Sequence, residues 1–157
     1  MSTKPNPIPK GYQTITPSLN IKGAAEAIEF YKRAFDAVEL FRRTTPDGMI
    51  MHAELMFGDS HLILNDPIPG WGCHPPTGVG SSPLLLRLYV PDVDTLFPQA
   101  IAAGAIEVRP LRDMPWGDRS GTLNDPFGYR WSLATHVEDV APEEMERRMA
   151  DWQRQAK

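Results

Sequence analysis

The sequence has very little cysteine and no long run of any one kind of residue. Cys73 is the only cysteine among the 157 residues, so no disulfide can form within the chain, which is compatible with a reducing cytoplasm. The 16 basic residues form no cluster and are outnumbered by 20 acidic ones, which argues against nucleic acid as a partner. No apolar stretch reaches membrane-spanning length, and no apolar leader stands near the start. These absences predict a cytoplasmic protein that binds neither nucleic acid nor membrane.

What the sequence does contain is an internal repeat. The segment 19–23 opens a helical pattern that ends at 35–40, and the segment 88–92 opens a second one that ends at 103–108. The two copies are offset by 69 residues at their starts and by 68 at their ends, and a Phe-Gly pair at Phe57 recurs at an offset of 70. Such self-similarity indicates one structural unit used twice. The sequence therefore predicts two strand-helix-strand-strand-strand modules.

Turn residues and proline place the boundaries of these modules. The predicted segments are an extended N-terminal arm at 1–11, a first βαβββ module at 12–66, a Pro/Gly linker at 67–83, a second βαβββ module at 84–138 and a C-terminal helix at 139–157. Together they form one α+β domain. A 157-residue chain is long enough to bury a core.

Hydrophobic periodicity assigns the elements within each module. In the first copy it predicts a strand at 12–21, a helix at 23–35 and strands at 38–44, 49–57 and 60–66. In the second copy the helix should begin near Asp94, because Pro98 is tolerated only close to the first turn, and should end at Gly104. In the last helix Met145, Met149 and Trp152 form an apolar stripe that should pack on the body of the protein.

Alternation along the predicted strands separates an apolar face, which should cover the helices, from a mixed one. The mixed face would carry His52, Glu54, Arg87, Tyr89, Asn124, Arg130 and His136. An antiparallel sheet can simply expose one face to water. The mixture of aromatic, basic and acidic side chains with aliphatic ones is nevertheless more typical of a pocket lining.

Four segments resemble the vicinal oxygen chelate superfamily, which includes glyoxalase I, bleomycin-resistance proteins and extradiol dioxygenases. The run from Asn124 to His136 resembles the end of the second module in that superfamily, and 23–31, 51–55 and 116–119 are similar to its PhnB-like branch. The resemblance covers about residues 12–140. It implies two βαβββ modules whose curved mixed sheets form a cup, usually within a homodimer.

The resemblance also implies where a metal would bind. Metal enzymes of the superfamily carry ligands on the first and last strands of each module, which correspond here to Thr16, Leu62, Leu85 and Ser132. None of these side chains is a good ligand for a divalent ion. We therefore expect no metal at the superfamily position and no cofactor.

Individual residues suggest how the open face would be used. His52 and Glu54 could bind a metal or act as an acid-base pair, or they could simply be hydrogen-bonded to each other. Arg87 could hold an anionic group through its guanidinium, or it could pair with Glu54. Asp118 and Arg119 are expected to form a local ion pair. The predicted ligand-binding residues are Arg87, Tyr89, Trp116, Asn124 and Ser132.

Three functions fit this sequence, and whether the protein is an enzyme stays open. The first is a metal-free protein that binds a small anionic or oxygen-rich molecule in the cup. The second is a glyoxalase-type lyase, isomerase or transferase that uses His52 and Glu54 as recruited metal ligands or acid-base groups. The third is a structural or regulatory dimer with no dedicated ligand.

Overall fold

The computed structural model describes residues 5–155, and within them the chain divides into two compact units between Pro76 and Thr77. The elements of the first unit are β1 (Ser18–Asn20), α1 (Ala24–Phe35), β2 (Val38–Thr44), β3 (Ile50–Phe57) and β4 (Ser60–Asn65). Those of the second are β5 (Leu85–Tyr89), α2 (Val93–Ala103), β6 (Ile106–Asp113), β7 (Asp118–Asn124), β8 (Arg130–His136) and α3 (Pro142–Gln155). Two βαβββ modules followed by a C-terminal helix are thus confirmed.

The first unit is a four-stranded mixed sheet with α1 against one face. The strand order is β1-β4-β3-β2, in which β1 and β4 run parallel and the other pairs antiparallel. The helix buries Ala24, Ile28, Tyr31 and Phe35, the apolar stripe predicted from the sequence. The Asp66 carboxylate fixes its start by accepting hydrogen bonds from the backbone N–H groups of Gly23 (3.1 Å) and Ala24 (3.0 Å).

The second unit has the same topology, with strand order β5-β8-β7-β6. The helix α2 starts at Val93, one residue before the predicted position, and its N-cap Asp92 accepts a hydrogen bond from the backbone N–H of Thr95 at 3.1 Å. Gly104 ends this helix in the left-handed region, as predicted. Pro98 lies beyond the first turn, so the helix tolerates it further in than expected.

The first predicted strand is much shorter than expected. Only Ser18–Asn20 forms β1, and Ile15, which lies within the predicted strand 12–21, is 83% exposed. The Pro17 carbonyl still accepts a hydrogen bond from the backbone N–H of Ile63 in β4 at 2.9 Å, but proline has no N–H of its own to donate, and the strand starts only after it. The alternation of residues 12–17 therefore does not reflect strand structure.

The predicted equivalence of Leu62 with Ser132 is also wrong. Ser132 pairs with Arg87 of β5, whereas the residue that pairs with Ser18 of β1 is Ile63, at an offset of 69. Leu62 is buried opposite Leu55 on the helix-covered face. The hairpin between β3 and β4 has two loop residues, and the one between β7 and β8 has five. A sequence match made at these two loops therefore shifts β4 by one residue against β8, which assigns its side chains to the wrong face of the sheet.

The C-terminal helix α3 carries no fully buried residue. The side chains of Met145, Met149 and Trp152 are half-buried, and the Arg112 guanidinium lies 5.8 Å above the Trp152 ring. No helix within residues 5–155 is long and apolar enough to cross a membrane. Residues 1–4 of the predicted arm and residues 156–157 of the C-terminal segment lie outside the described part.

Candidate functional site

A buried carboxylate organises the face of the second sheet that points away from α2, which we call its open face. Asp118, whose side chain is 3% exposed, accepts hydrogen bonds from the Tyr89 hydroxyl at 2.8 Å and the Trp116 indole N–H at 3.0 Å. The Arg87 guanidinium lies 3.4 Å from the same carboxylate oxygen, and His136 Nδ1 lies 2.9 Å from the other one. Three of the predicted ligand-binding residues therefore meet at one residue that the prediction did not include.

Burial alone would raise the pKa of Asp118, but the hydrogen bonds from His136, Tyr89 and Trp116 together lower it. The pKa of His136 is raised, first by its hydrogen bond to Asp118 and then by a second one to Asp139. Asp118 is accordingly an anion at neutral pH, and its charge compensates part of the positive charge on this face.

The predicted ion pair between Asp118 and Arg119 does not form. Neighbouring residues on a strand point to opposite faces, and Arg119 instead pairs with Asp94 at 2.7 Å and Asp113 at 3.2 Å. Within the second unit Arg87 donates to Tyr89 and Asp118, and its suggested pairing with Glu54 of the first unit stays a prediction.

Next to Asp118, four polar residues form one row across the sheet. Arg87 is paired in register with Ser132, Ser132 with Thr122, and Thr122 with Arg109. Directly paired residues point to the same face, so a serine and a threonine separate two arginines. With strands about 4.8 Å apart, the two arginine Cα atoms are about 14 Å from each other. We call these four residues the Arg87–Arg109 row.

The row and the neighbouring Ser120 contain polar atoms that are buried without a hydrogen-bond partner. Within residues 5–155, three buried polar groups here have no hydrogen-bond partner: Arg109 Nε and the hydroxyls of Ser132 and Ser120. Water cannot replace the missing partners of the two serines, because Ser132 is only 1% exposed and Ser120 is fully buried. Burial, followed by repulsion from Arg112 and Arg87, lowers the pKa of Arg109. Such atoms are usually satisfied in a folded protein. The row therefore offers unused hydrogen-bond donors together with positive charge.

Asn124, the last of the predicted ligand-binding residues, lies further along the same face. Its side-chain carbonyl accepts a hydrogen bond from Arg130 Nε at 3.0 Å, and the two residues are paired in register. Sequence reasoning did not identify Asp118, Ser120, Thr122 or Arg109 as site residues. Alternation in 118–124 would have indicated the first three, because they alternate with Arg119, Gly121 and Leu123.

The open face of the first sheet carries a separate polar cluster. His52 Nε2 lies 2.8 Å from Glu54 Oε1, and the Tyr12 hydroxyl donates a short hydrogen bond to the other oxygen of Glu54. Tyr12 also stacks on His61, with ring centroids 4.2 Å apart. The pair predicted from the sequence is therefore in hydrogen-bond contact, and Tyr12 is an addition that the sequence did not indicate.

These contacts keep Glu54 ionised. The hydrogen bond from Tyr12, followed by the one from His52, lowers the pKa of Glu54, while the hydrogen bond to Glu54 raises the pKa of Tyr12 to about 12. An oriented carboxylate beside an imidazole can position a general base. Within residues 5–155 no group of three His, Cys, Asp or Glu side chains is arranged to hold a metal ion.

A model of the Glyoxalase/Bleomycin resistance protein/Dioxygenase superfamily matches residues 13–133 of this chain. The chain belongs to this superfamily. The match begins before β1 and ends within β8, so it includes residues of every strand of both sheets.

Relatives within the superfamily are found by both sequence and structure. An uncharacterised protein of Mycobacterium bovis is 43% identical over 139 residues, which cover 87% of this chain and 91% of that protein. TioX from Micromonospora sp. ML1 is 27% identical with a TM-score of 0.65, over 80% of this chain and 99% of TioX. The PhnB protein from Bacillus cereus shares the fold at 24% identity and a TM-score of 0.60, over 78% of this chain and 99% of that protein.

Proposed function

We propose that this superfamily member binds a small anionic or oxygen-rich molecule on the open face of its second sheet, without a metal ion. Arg87 and Arg109 would hold the anionic group from two sides. The hydroxyls of Ser132 and Thr122, and of the neighbouring Ser120, would donate hydrogen bonds to its oxygens.

The observation that carries this proposal is the set of buried donors in the Arg87–Arg109 row and on the neighbouring Ser120. Burying a hydroxyl without a hydrogen-bond partner lowers the stability of the fold by about 1–3 kcal/mol. The hydroxyls of Ser120 and Ser132 are buried in this way, and so is Nε of Arg109. Carboxylate and phosphonate oxygens accept hydrogen bonds only, so they would complement all three groups. Planar guanidinium groups bind such oxygens in a bidentate manner.

Charge supports an anionic ligand. Arg87, Arg109 and Arg112 interact electrostatically on this sheet, and one carboxylate, Asp118, lies among them with a contact to Arg87. Asp118 also accepts hydrogen bonds from Tyr89 and Trp116, so it neutralises only part of the positive charge of the arginines. A bound anion would reduce the remaining repulsion between the arginines.

The test is a titration of the full chain with small carboxylates and phosphonates, and with inorganic phosphate, followed by backbone amide NMR. We expect shifts at Ser120, Thr122 and Ser132, and none with the neutral amides of the same carboxylates. Arg87→Met and Arg109→Met should each weaken binding by roughly ten-fold or more, since hydrogen bonds to charged groups contribute about 1.5–3 kcal/mol.

Arg119→Met is the matched control for these variants. It removes the same charge from the same sheet, but Arg119 lies on the opposite face and pairs with Asp94 and Asp113. It should leave binding unchanged. If all three variants bind every anion as the unmodified chain does, the row is not a ligand site.

A second candidate function is an enzyme that uses the first sheet. The 2.8 Å contact of His52 with Glu54, and the further hydrogen bond from Tyr12, support an oriented acid-base pair. Turnover of a carbonyl substrate that is abolished by His52→Gln, and survives Arg87→Met, would favour this function over binding alone.

We also propose that the protein is a cytoplasmic homodimer with two-fold symmetry, and that it binds neither nucleic acid nor membrane. Exposed apolar residues on the edge strands support self-association: Val38 and Leu40 on β2, and Ile106 and Val108 on β6. Light scattering coupled to size-exclusion chromatography would test the dimer. A monomer at all accessible concentrations would contradict it and support the single chain as the functional form.

A further inference from the structure

The first unit contains a cleft that the proposed anion site does not use. It has a volume of about 820 Å³ and lies on the open face of the sheet, where Phe41, Arg43 and His52 line it together with Trp71 from the loop after β4. This volume is within the range of about 300–1,000 Å³ that is typical of sites for small molecules.

Two aromatic rings in this cleft are exposed to solvent. Trp71 is 69% exposed and Phe41 50% exposed, so neither contributes much to the core of the first unit. Phe41 lies near the His52 ring, with centroids 6.0 Å apart. Exposed aromatic side chains that line one cleft provide flat apolar surface for a planar ligand.

The cleft also contains an unpaired positive charge. Within the described residues the side chain of Arg43 forms no hydrogen bond or ion pair. The side chain of its neighbour Arg42, on the other side of β2, pairs with Glu39 at 2.7 Å and Glu29 at 3.1 Å. Arg43 is paired in register with His52 of β3, so its guanidinium belongs to the face that carries the cleft. A ligand with one anionic group would complement it.

We infer that this cleft is a second binding site, for a planar aromatic molecule that carries a carboxylate or a similar anionic group. The aromatic part packs against Trp71 and Phe41, and the anionic group pairs with Arg43. The Pro/Gly-rich loop that carries Trp71 positions the indole at the cleft without burying it. This site lies in the first unit, whereas the Arg87–Arg109 row lies in the second.

The experiment is a titration of the full chain with naphthoate and with its neutral amide, naphthamide, observed through the backbone amide resonances of Phe41 and His52, which line the cleft and are present in every variant. Naphthoate should bind more tightly than naphthamide. Arg43→Gln should weaken naphthoate binding by roughly ten-fold and leave naphthamide unaffected, because only the charged group uses the guanidinium. Trp71→Ala should weaken both, because the ring contacts are lost in either case.

Arg42→Gln is the matched control, since it removes the adjacent arginine from the opposite side of the strand. It should leave both affinities unchanged. Thermal unfolding should show that Trp71→Ala still folds, as expected for an exposed side chain. Naphthoate binding that is insensitive to both Arg43→Gln and Trp71→Ala, or a response to Arg42→Gln as large as that to Arg43→Gln, would overturn the inference.

Discussion

The guanidinium of Arg87 lies 3.4 Å from the buried carboxylate of Asp118. In the hydrogen-bond network around Asp118 the accepting carboxylate is buried, whereas the side chain of Arg87 is 37% exposed and carries its positive charge at the edge of the network. Arg87 can therefore interact with a ligand while Asp118 fixes its position. The same carboxylate orients Tyr89 and Trp116, so Asp118 is a positioning residue for this face.

We predict that Asp118→Asn lowers the free energy of unfolding by about 2 kcal/mol, because several donors lose a charged acceptor. Urea denaturation followed by circular dichroism would measure this. Asp113→Asn is the control, since the Asp113 side chain is 77% exposed and its ion-pair partner among residues 5–155 is Arg119. Its effect should stay within about 0.5 kcal/mol. Equal effects of the two variants would contradict the role of Asp118.

A second prediction concerns pH and His136. The folded-state pKa of His136 is raised by Asp118 and then by Asp139, so the folded protein favours the protonated imidazole. Its contribution to stability is therefore fully present below the ordinary histidine pKa of about 6.5 and is lost as pH rises through the raised value. The stability difference between the unmodified chain and His136→Gln should shrink from mildly acidic to alkaline pH. Denaturation midpoints across that range would show it, and a difference that grows with pH would contradict it.

A third prediction concerns Tyr12 and Glu54. In Tyr12→Phe the pKa of Glu54 should rise, because its largest stabilising hydrogen bond is removed while the ring at position 12 can still stack on His61. Glu54 contributes stability above its ordinary pKa, and that contribution is lost as pH falls through the lowered folded-state value. The variant should therefore lose less stability on acidification.

Carboxyl-carbon NMR titration would measure the pKa of Glu54 in both proteins. Glu144 serves as the internal control, because Arg147 and Arg148 lower its pKa to about 2 and Tyr12 is not among its partners. An unchanged pKa for Glu54 in the variant would show that the Tyr12 hydroxyl does not stabilise the carboxylate.

A fourth prediction is that protein purified without added metal contains no tightly bound divalent ion at Thr16, Leu85 and Ser132, or at Ile63, the structural counterpart of Ser132. Hydroxyl and aliphatic side chains are poor ligands for zinc, nickel or iron. Elemental analysis of the purified chain would test this. A stoichiometric ion at those residues would refute it, whereas an ion lost on His52→Ala would instead support the enzyme hypothesis.

The repeated fold could be predicted from the sequence because both modules are stabilised by the same kinds of local interaction. Asp66 caps the start of α1 through the backbone N–H of Ala24, and Thr135, which lies 69 residues later, accepts from the first backbone N–H of α2 at 2.8 Å. Strand alternation also placed His52 with Glu54, and Arg87 with Tyr89, on open faces. These inferences need only local periodicity.

Partners across the sheet could not be predicted in this way, because they depend on register. Asp118 and Arg119 are adjacent in sequence but belong to opposite faces, while Asp118 and Tyr89 are 29 residues apart and in contact. Arg109 joins the row only through a β-bulge in β6, which the sequence does not reveal. The difference in loop length between the two hairpins is likewise the reason that Leu62, and not Ile63, was matched with Ser132.

The last prediction concerns Gly117, in the turn between β6 and β7. This residue has φ of +91°, and a Cβ there would lie 3.0 Å from the carbonyl carbon of Glu138, whose backbone N–H donates to the Gly117 carbonyl. Gly117→Ala would combine an unfavourable backbone conformation with a steric conflict against main chain, which a flexible side chain cannot relieve. We expect the free energy of unfolding to fall by about 3 kcal/mol or more.

Gly48→Ala separates these two costs. Gly48 has nearly the same φ, +90°, but no atom lies within 4 Å of a Cβ built there. It should lose only the conformational term, about 1–2 kcal/mol. Urea denaturation of both variants gives the difference, which measures how closely the segment after β8 packs on this turn. Equal losses would mean that Glu138 moves away at no cost and that only the backbone conformation requires glycine at position 117.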